Sequence, residues 1–198
     1  MHEVPSQVGL PRAQVVTTLY SDGGVVQHNP SSLGGTWAWC ATDQTGWRIR
    51  EQGGYLLAEP GQPISNNQME WFAALLALEA MPDDWCGTLV TDSRNVLDRL
   101  GYARASLGLP ARQVLVPRNL PWRWFDRMRH AIDRLGILEL RHVKGHPSAA
   151  DLKRGYTVDA SGVRKYAVSD QQVWCDMRTQ QEAMRVRLHL TQIAWSAT

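Results

Sequence analysis

Residues 14–24 read Gln14-Val15-Val16-Thr17-Thr18-Leu19-Tyr20-Ser21-Asp22-Gly23-Gly24. The β-branched run followed by Leu19 and Tyr20 favours an extended chain and the glycine pair stops it, so the segment reads as a β-strand ending on an acid. Strand alternation sets Asp22 on one face with Tyr20, Thr18 and Val16. Working outward, residues 34–40 and 46–57 read as two more strands around a turn near Asp43–Gly46. The first three strands then form an antiparallel meander. After the Pro60-Gly61-Gln62-Pro63 loop, Asn66 or Asn67 can cap a helix running to about Met81. Met69, Phe72, Ala73, Leu76 and Ala80 recur there at helical spacing, and Leu75 and Leu78 widen the stripe, which marks a deeply buried helix.

A second strand ending on an acid follows, Gly87-Thr88-Leu89-Val90-Thr91-Asp92. Strand-ending acids stand at the carboxyl edge, where open α/β sheets present ligands. Helices are then expected over about 94–102 and from Pro121 to Gly136, with an irregular stretch between them and a strand over 137–143 after them. A long loop covers 145–168. A last helix starts at Ser169, with Gln172 completing a capping box, and runs to about His189. The order βββ, α, β, α, α, β, α implies an α/β fold with one mixed sheet packed by helices. We expect a single domain over 14–190 behind a lead-in at 1–13.

The chain has 198 residues, 43% hydrophobic and 20% charged, which excludes wholesale disorder, collagen and a coiled-coil rod. No run approaches the ~18 apolar residues of a membrane span, and the first residues lack a basic stretch followed by an apolar one, so neither membrane contact nor secretion is expected. Three cysteines without a CxxC pair fit the reducing cytoplasm and argue against a disulfide framework or a Cys-rich zinc module. The net charge of +2 hides an asymmetry: residues 1–93 carry −7, residues 94–165 carry +9 and the remainder 0. Eighteen of the 21 cations are arginine, whose planar fork grips phosphate bidentately. A basic middle segment beside acids from the rest of the chain points to a polyanionic partner.

Two further acids stand in apolar company. Glu70 lies in the first turn of the buried helix between Met69 and Trp71, and Asp176 lies among Val173, Trp174, Cys175 and Met177. An isolated carboxylate in such a place is costly or neutralised. Several carboxylates brought together repel one another unless a divalent cation intervenes, and hard oxygen ligands suit Mg²⁺.

Taken together, these stretches resemble the ribonuclease H type 1 family. Tyr20-Ser21-Asp22-Gly23-Gly24, with Asn29-Pro30 and Gly34-Gly35, is similar to its opening element. Ser65-Asn66-Asn67-Gln68-Met69-Glu70 resembles its Thr-Asn-Asn-x-Met-Glu helix start, and Thr91-Asp92-Ser93 its Thr-Asp-Ser. Val143-Lys144-Gly145-His146 and Trp174-Cys175-Asp176 complete the order. The resemblance implies an RNase H-like fold, a five-stranded mixed sheet whose first three strands are antiparallel. It also implies an endoribonuclease that hydrolyses the RNA strand of RNA/DNA hybrids, leaving 5′-phosphate and 3′-hydroxyl ends. Asp22, Glu70, Asp92 and Asp176 would hold two Mg²⁺ ions, with Mn²⁺ able to substitute, and Asp22 would bridge them. His146, on a mobile loop, would relay a proton or help release product, since an imidazole changes charge near pH ~6.5.

Substrate contacts are implied for Gly23, Gly24, Asn29, Ser65, Asn66, Asn67, Gln68, Arg94 and Lys144, and on the basic segment for Arg118 and Arg123. Only RNA offers a 2′-hydroxyl, so short polar groups beside the metals can select it. The sequence departs from the family at 147–168, an enlarged loop reminiscent of bacteriophage and mobile-element versions. It departs again at Pro63, where many relatives carry a phosphate-gripping arginine, and at Arg94, a common glutamine. Two other readings stay open at this point: a nuclease of the same fold acting on DNA, as resolvase- and integrase-like relatives do, and a non-catalytic hybrid-binding module. No obligate protein partner is expected, and the chain reads as a monomer.

Overall fold

The computed structural model describes residues 15–109 and 120–196. The expected lead-in and Arg118 lie outside the described residues. The chain runs β1 (Thr18–Val25), β2 (Gly34–Thr42), β3 (Arg48–Leu57), α1 (Asn66–Glu79), β4 (Gly87–Thr91), α2 (Arg94–Ser106), α3 (Trp122–Asp133), β5 (Leu138–His142), α4 (Ala149–Arg154), β6 (Tyr156–Val158), β7 (Arg164–Ala167) and α5 (Asp170–Ser196). Five strands make one mixed sheet in the order β3-β2-β1-β4-β5. The first three are antiparallel neighbours, while β1–β4 and β4–β5 are parallel. Among the described residues no helix is long and apolar enough to cross a membrane.

Alternation divides the sheet into two faces. Leu19, Trp39, Ala41 and Leu89 point to one side and pack with Trp71, Leu75 and Leu78 of α1, Leu100 of α2 and Phe125 and Met128 of α3. Helix α1 is wedged between sheet and helices, so it is buried nearly all round, and Trp71 stacks on Phe125 with centroids 6.3 Å apart. Fully burying one such side chain is worth roughly 1.5–3 kcal/mol. On the opposite face Ala38 and Cys40 meet Cys175 of α5, with Tyr20 and Trp174 alongside. Asp22 shares parity with Tyr20, so it belongs to the α5 face.

The structure corrects several local expectations. The glycine pair does not halt the first strand: β1 continues to Val25, because Gly24 and Val25 keep their ladder with Thr36 and Gly35 of β2. The parallel pairing with β4 does end early, at Tyr20–Val90. Asp22 is therefore inside a strand yet beyond the edge of the β1/β4 pair, where a gap opens. The cap of α1 is Ser65, whose hydroxyl and backbone form a reciprocal box with Gln68, not an asparagine. Helix α2 extends to Ser106, past the expected end at Tyr102. Residues 145–168 are not a plain loop, since they fold into α4 and the β6–β7 hairpin. Ser169 does turn the chain into α5, accepting from the Gln171 amide at 3.2 Å, but Gln172 makes no capping box; its side chain is used elsewhere.

A candidate active site of four carboxylates

The four acids come from four elements and converge where β1 and β4 part. Gly23 makes the approach possible. A Cβ there would lie 2.1 Å from the Glu70 amide nitrogen and from the Met69 carbonyl carbon, so the first turn of α1 rests directly on the β1 backbone. That contact delivers Glu70 to the strand bearing Asp22. Gly145 plays a similar part for Asp92, since a Cβ on it would fall 2.0 Å from Asp92 Oδ2.

Each carboxylate is steadied by a protein donor. Glu70 Oε1 accepts from Asn66 Nδ2 at 2.8 Å, and Glu70 Oε2 from Ser93 Oγ at 2.5 Å. Ser93 also caps α2 by accepting from the Val96 amide. Asp92 Oδ1 accepts from Gln172 Nε2 at 3.3 Å, and the same amide donates to Ser21 O at 3.1 Å, tying α5 to β1 and β4. Asp176 Oδ1 accepts from Gln180 Nε2 at 3.0 Å, and its Oδ2 lies 3.2 Å from His146 Nδ1. The buried Thr179 hydroxyl donates to Asp176 O at 2.8 Å and stands 3.5 Å from Asp22 Oδ2.

Electrostatics register the crowding. Burial, then the charges of Asp92, Asp176 and Glu70, hold the Asp22 carboxyl well above the usual carboxylate range. Burial raises Glu70, against the Ser93 hydrogen bond, and Asp92 pushes it the same way. Asp92 is raised chiefly by burial, partly countered by its backbone hydrogen bond and by His146. The acids thus feel one another, yet among the described residues no three histidine, cysteine or acid side chains close into a group that could hold a metal ion as they stand. In donor type the set fits a hard divalent cation: four carboxylates, the most buried of them destabilised by the other three.

The enlarged loop does not carry His146 away. Its backbone takes the left-handed conformation (φ 47°), uncommon for a residue other than glycine, and the ring meets Asp176 while remaining largely exposed. Of the implied substrate contacts, Asn29, Ser65, Asn66, Asn67 and Gln68 gather at the start of α1, bonded mainly to one another. Asn29 Oδ1 accepts from the Asn66 amide at 3.0 Å, and Asn67 Oδ1 from Asn95 Nδ2 at 3.1 Å. Ser65 Oγ donates to Gln68 Oε1 at 3.0 Å. Gly24 faces Thr36 and Thr179. Arg94 donates to the Tyr166 hydroxyl at 3.0 Å, and exposed Lys144 bonds through its amide to Ala167 O. Arg123 is exposed on α3, a helix packed against α1 and α2 rather than beside the acids. The sequence reading missed Ser93, Gln172, Thr179, Gln180 and Gly145. The only available signal was adjacency, since Ser93 follows Asp92 and Gly145 precedes His146.

No protein-family model matches the sequence, and no curated protein matches it either. Solved structures do. LC11-RNase H1, isolated from compost by a metagenomic approach, overlays with a TM-score of 0.55 at 17% identity, over 87% of this chain and 98% of that one. The N-terminal RNase H domain of rv2228c from Mycobacterium tuberculosis, solved as a maltose-binding-protein fusion, gives 0.56 at 9% identity over 88% and 99%. The chain has the ribonuclease H fold.

Proposed function

We propose that this protein is a divalent-metal-dependent nuclease that hydrolyses the RNA strand of RNA/DNA hybrids. The observation that carries the reading is the meeting of Asp22, Glu70, Asp92 and Asp176 from four separate elements, with Asp22 buried against the charges of the other three. A protein gains nothing in stability from such a cluster, so its use is to hold cations. Asp22, Glu70, Asp92 and Asp176 would hold the ions, which when bound activate water and neutralise the charge that develops on the departing oxygen. His146, joined to Asp176 through Nδ1 and otherwise open to solvent, can exchange a proton with water or substrate through Nε2. The amides and hydroxyls around Ser65, Asn66 and Asn67 supply donors and acceptors of the kind that recognise a ribose 2′-hydroxyl.

The test is direct. A hybrid labelled on its RNA strand, incubated with protein and Mg²⁺ or Mn²⁺, should yield RNA fragments with 5′-phosphate and 3′-hydroxyl ends while duplex DNA stays intact. A hybrid that survives both metals overturns the proposal, and equal cutting of all-DNA substrates would replace it with the DNA-nuclease reading.

A further inference from the structure

The insertion between β5 and α5 is folded but has no buried core. Helix α4 has no buried residue, and β6 and β7 are half-buried or exposed throughout. Hydrogen bonds and rings root it instead. The Lys144 amide donates to Ala167 O at 2.8 Å, and the Val168 amide to Gly155 O at 3.3 Å. Tyr166 sets its ring edge-on to His142, centroids 5.7 Å apart, and His142 Nε2 lies 3.1 Å from Asp92 O. The arm is thus fixed to the same strand ends that carry the carboxylate cluster.

Its charges are one-sided. Residues 144–168 contain Lys144, Lys153, Arg154, Arg164 and Lys165 against Asp151 and Asp159. Both acids are already engaged. Asp151 takes the Ser148 cap and Arg154, and Asp159 takes Ser161, Val163 and Lys165. Lys144, Lys153 and Arg164 are exposed and have no carboxylate partner among the described residues. Arg164 Cζ lies 4.8 Å above the Tyr156 ring. Arg94 both bonds the Tyr166 hydroxyl and lies 5.8 Å from its ring. The hairpin thus carries two guanidinium–aromatic pairs, Arg164 with Tyr156 and Arg94 with Tyr166, the second of them two residues from Asp92. Paired guanidinium and aromatic groups grip phosphates and offer flat surfaces to bases, without reading sequence.

We propose that the α4–hairpin insertion is a nucleic-acid-binding arm whose two guanidinium–aromatic pairs and Lys153 hold the phosphate backbone of the strand running past the carboxylates. The proposal rests on the nuclease reading. A protein partner fits the arm less well, because four of its exposed side chains, Lys153, Arg154, Arg164 and Lys165, are cationic.

The experiment measures hybrid affinity by fluorescence anisotropy between 50 and 200 mM salt with EDTA present, and cleavage separately with Mg²⁺. Each lost phosphate contact lowers the slope of log affinity against log salt by roughly 0.9. Lys153→Ala/Arg164→Ala should lose about two such increments and raise KM while kcat at saturation stays near the parent value. Arg164→Lys keeps the charge, so its slope should follow the parent and separate charge from damage to the hairpin. An unchanged slope and KM in the double variant, with parent protein that binds and cleaves, overturns the arm alone and leaves its surface to another class of partner. Parent protein that neither binds nor cleaves hybrid overturns the nuclease reading, and the arm with it.

Discussion

Replacing Gly145 by alanine isolates Asp92 from every other part of the site. The added methyl would stand 2.0 Å from Asp92 Oδ2 and 3.0 Å from its Cγ, whereas ordinary contact begins near 3.4 Å. The oxygen must therefore retreat by about 1.4 Å, the difference between 3.4 and 2.0 Å. It cannot do so freely, because Oδ1 is held by Gln172. Gly145 is not in the left-handed region, so alanine brings no backbone strain, and the stiffer unfolded chain gains roughly 0.4–1 kcal/mol of stability. That gain offsets a weakened hydrogen bond of about 1 kcal/mol. The fold should stay within a few degrees of its parent melting temperature. Catalysis should not: a reacting group misplaced by about 1 Å costs on the order of 10²-fold, or about 2.7 kcal/mol of barrier. Single-turnover cleavage of a labelled hybrid, read beside a circular-dichroism melt, measures both. A well-folded variant that cleaves within about threefold of the parent would refute the claim that Asp92 serves the chemistry from this position.

Other perturbations follow from the same geometry. Asp22→Asn should abolish cleavage yet raise the melting temperature in EDTA at neutral pH, since it removes a buried charge repelled by three others; a lower midpoint would contradict the electrostatic account. Asp22, Glu70 and Asp92 all have raised folded-state pKa values, so between the ordinary carboxylate range and those raised values the folded state binds more protons than the unfolded one. Their contribution is complete at lower pH and is lost as pH rises through that window. Melting temperatures in EDTA should fall as pH rises above the ordinary carboxylate range and flatten when Mg²⁺ is added; a rise with pH would refute the sign. Gly23→Ala drives a methyl into the Glu70 and Met69 backbone and should cost about 3 kcal/mol, the upper range of overpacking, with chemical denaturation as the measure. Gln172→Leu leaves Ser21 O and Asp92 Oδ1 without their donor, for about 1–3 kcal/mol, and should slow cleavage as well; unchanged stability and rate would remove Gln172 from the site.

The sheet and its helices were legible because their signals are local. β-branched runs, helical spacing in Met69–Leu78 and the glycine and proline stops all act within one element. The four acids drew notice for other reasons: Glu70 and Asp176 stand in company too apolar for a solvated charge, while Asp22 and Asp92 stand at the ends of β-branched runs. What escaped was set by tertiary neighbours. Nothing near Gly23 announces that β2 will carry the first strand past it, because the partners Gly35 and Thr36 lie beyond a turn. Gln172 fits a capping pattern by sequence, but a glutamine one turn before Asp176 on the sheet-facing side of α5 meets Ser21 O first. The insertion looked like a loop because it lacks an apolar pattern, and it folds without one by using Ser148 and Asp151 to cap α4 and Asp159 to close the hairpin turn.

Those missed donors explain how the cluster is tolerated at all. Like charges on four elements would push β1, β4, α1 and α5 apart at their shared end if nothing intervened. In this chain Ser93 and Asn66 hold Glu70, Gln172 holds Asp92, and Gln180 and His146 flank Asp176. Asp22 has the Gly23 backbone and the distant Thr179 hydroxyl, and it is the carboxyl pushed furthest from the ordinary range. A cation drawn to the cluster would therefore find its largest gain at Asp22 and compete with protein donors at the other three. The amide and hydroxyl donors fix where each oxygen waits and, being uncharged, would leave the negative potential that draws an ion in. Lysines in their place would hold the acids as firmly and cancel that potential.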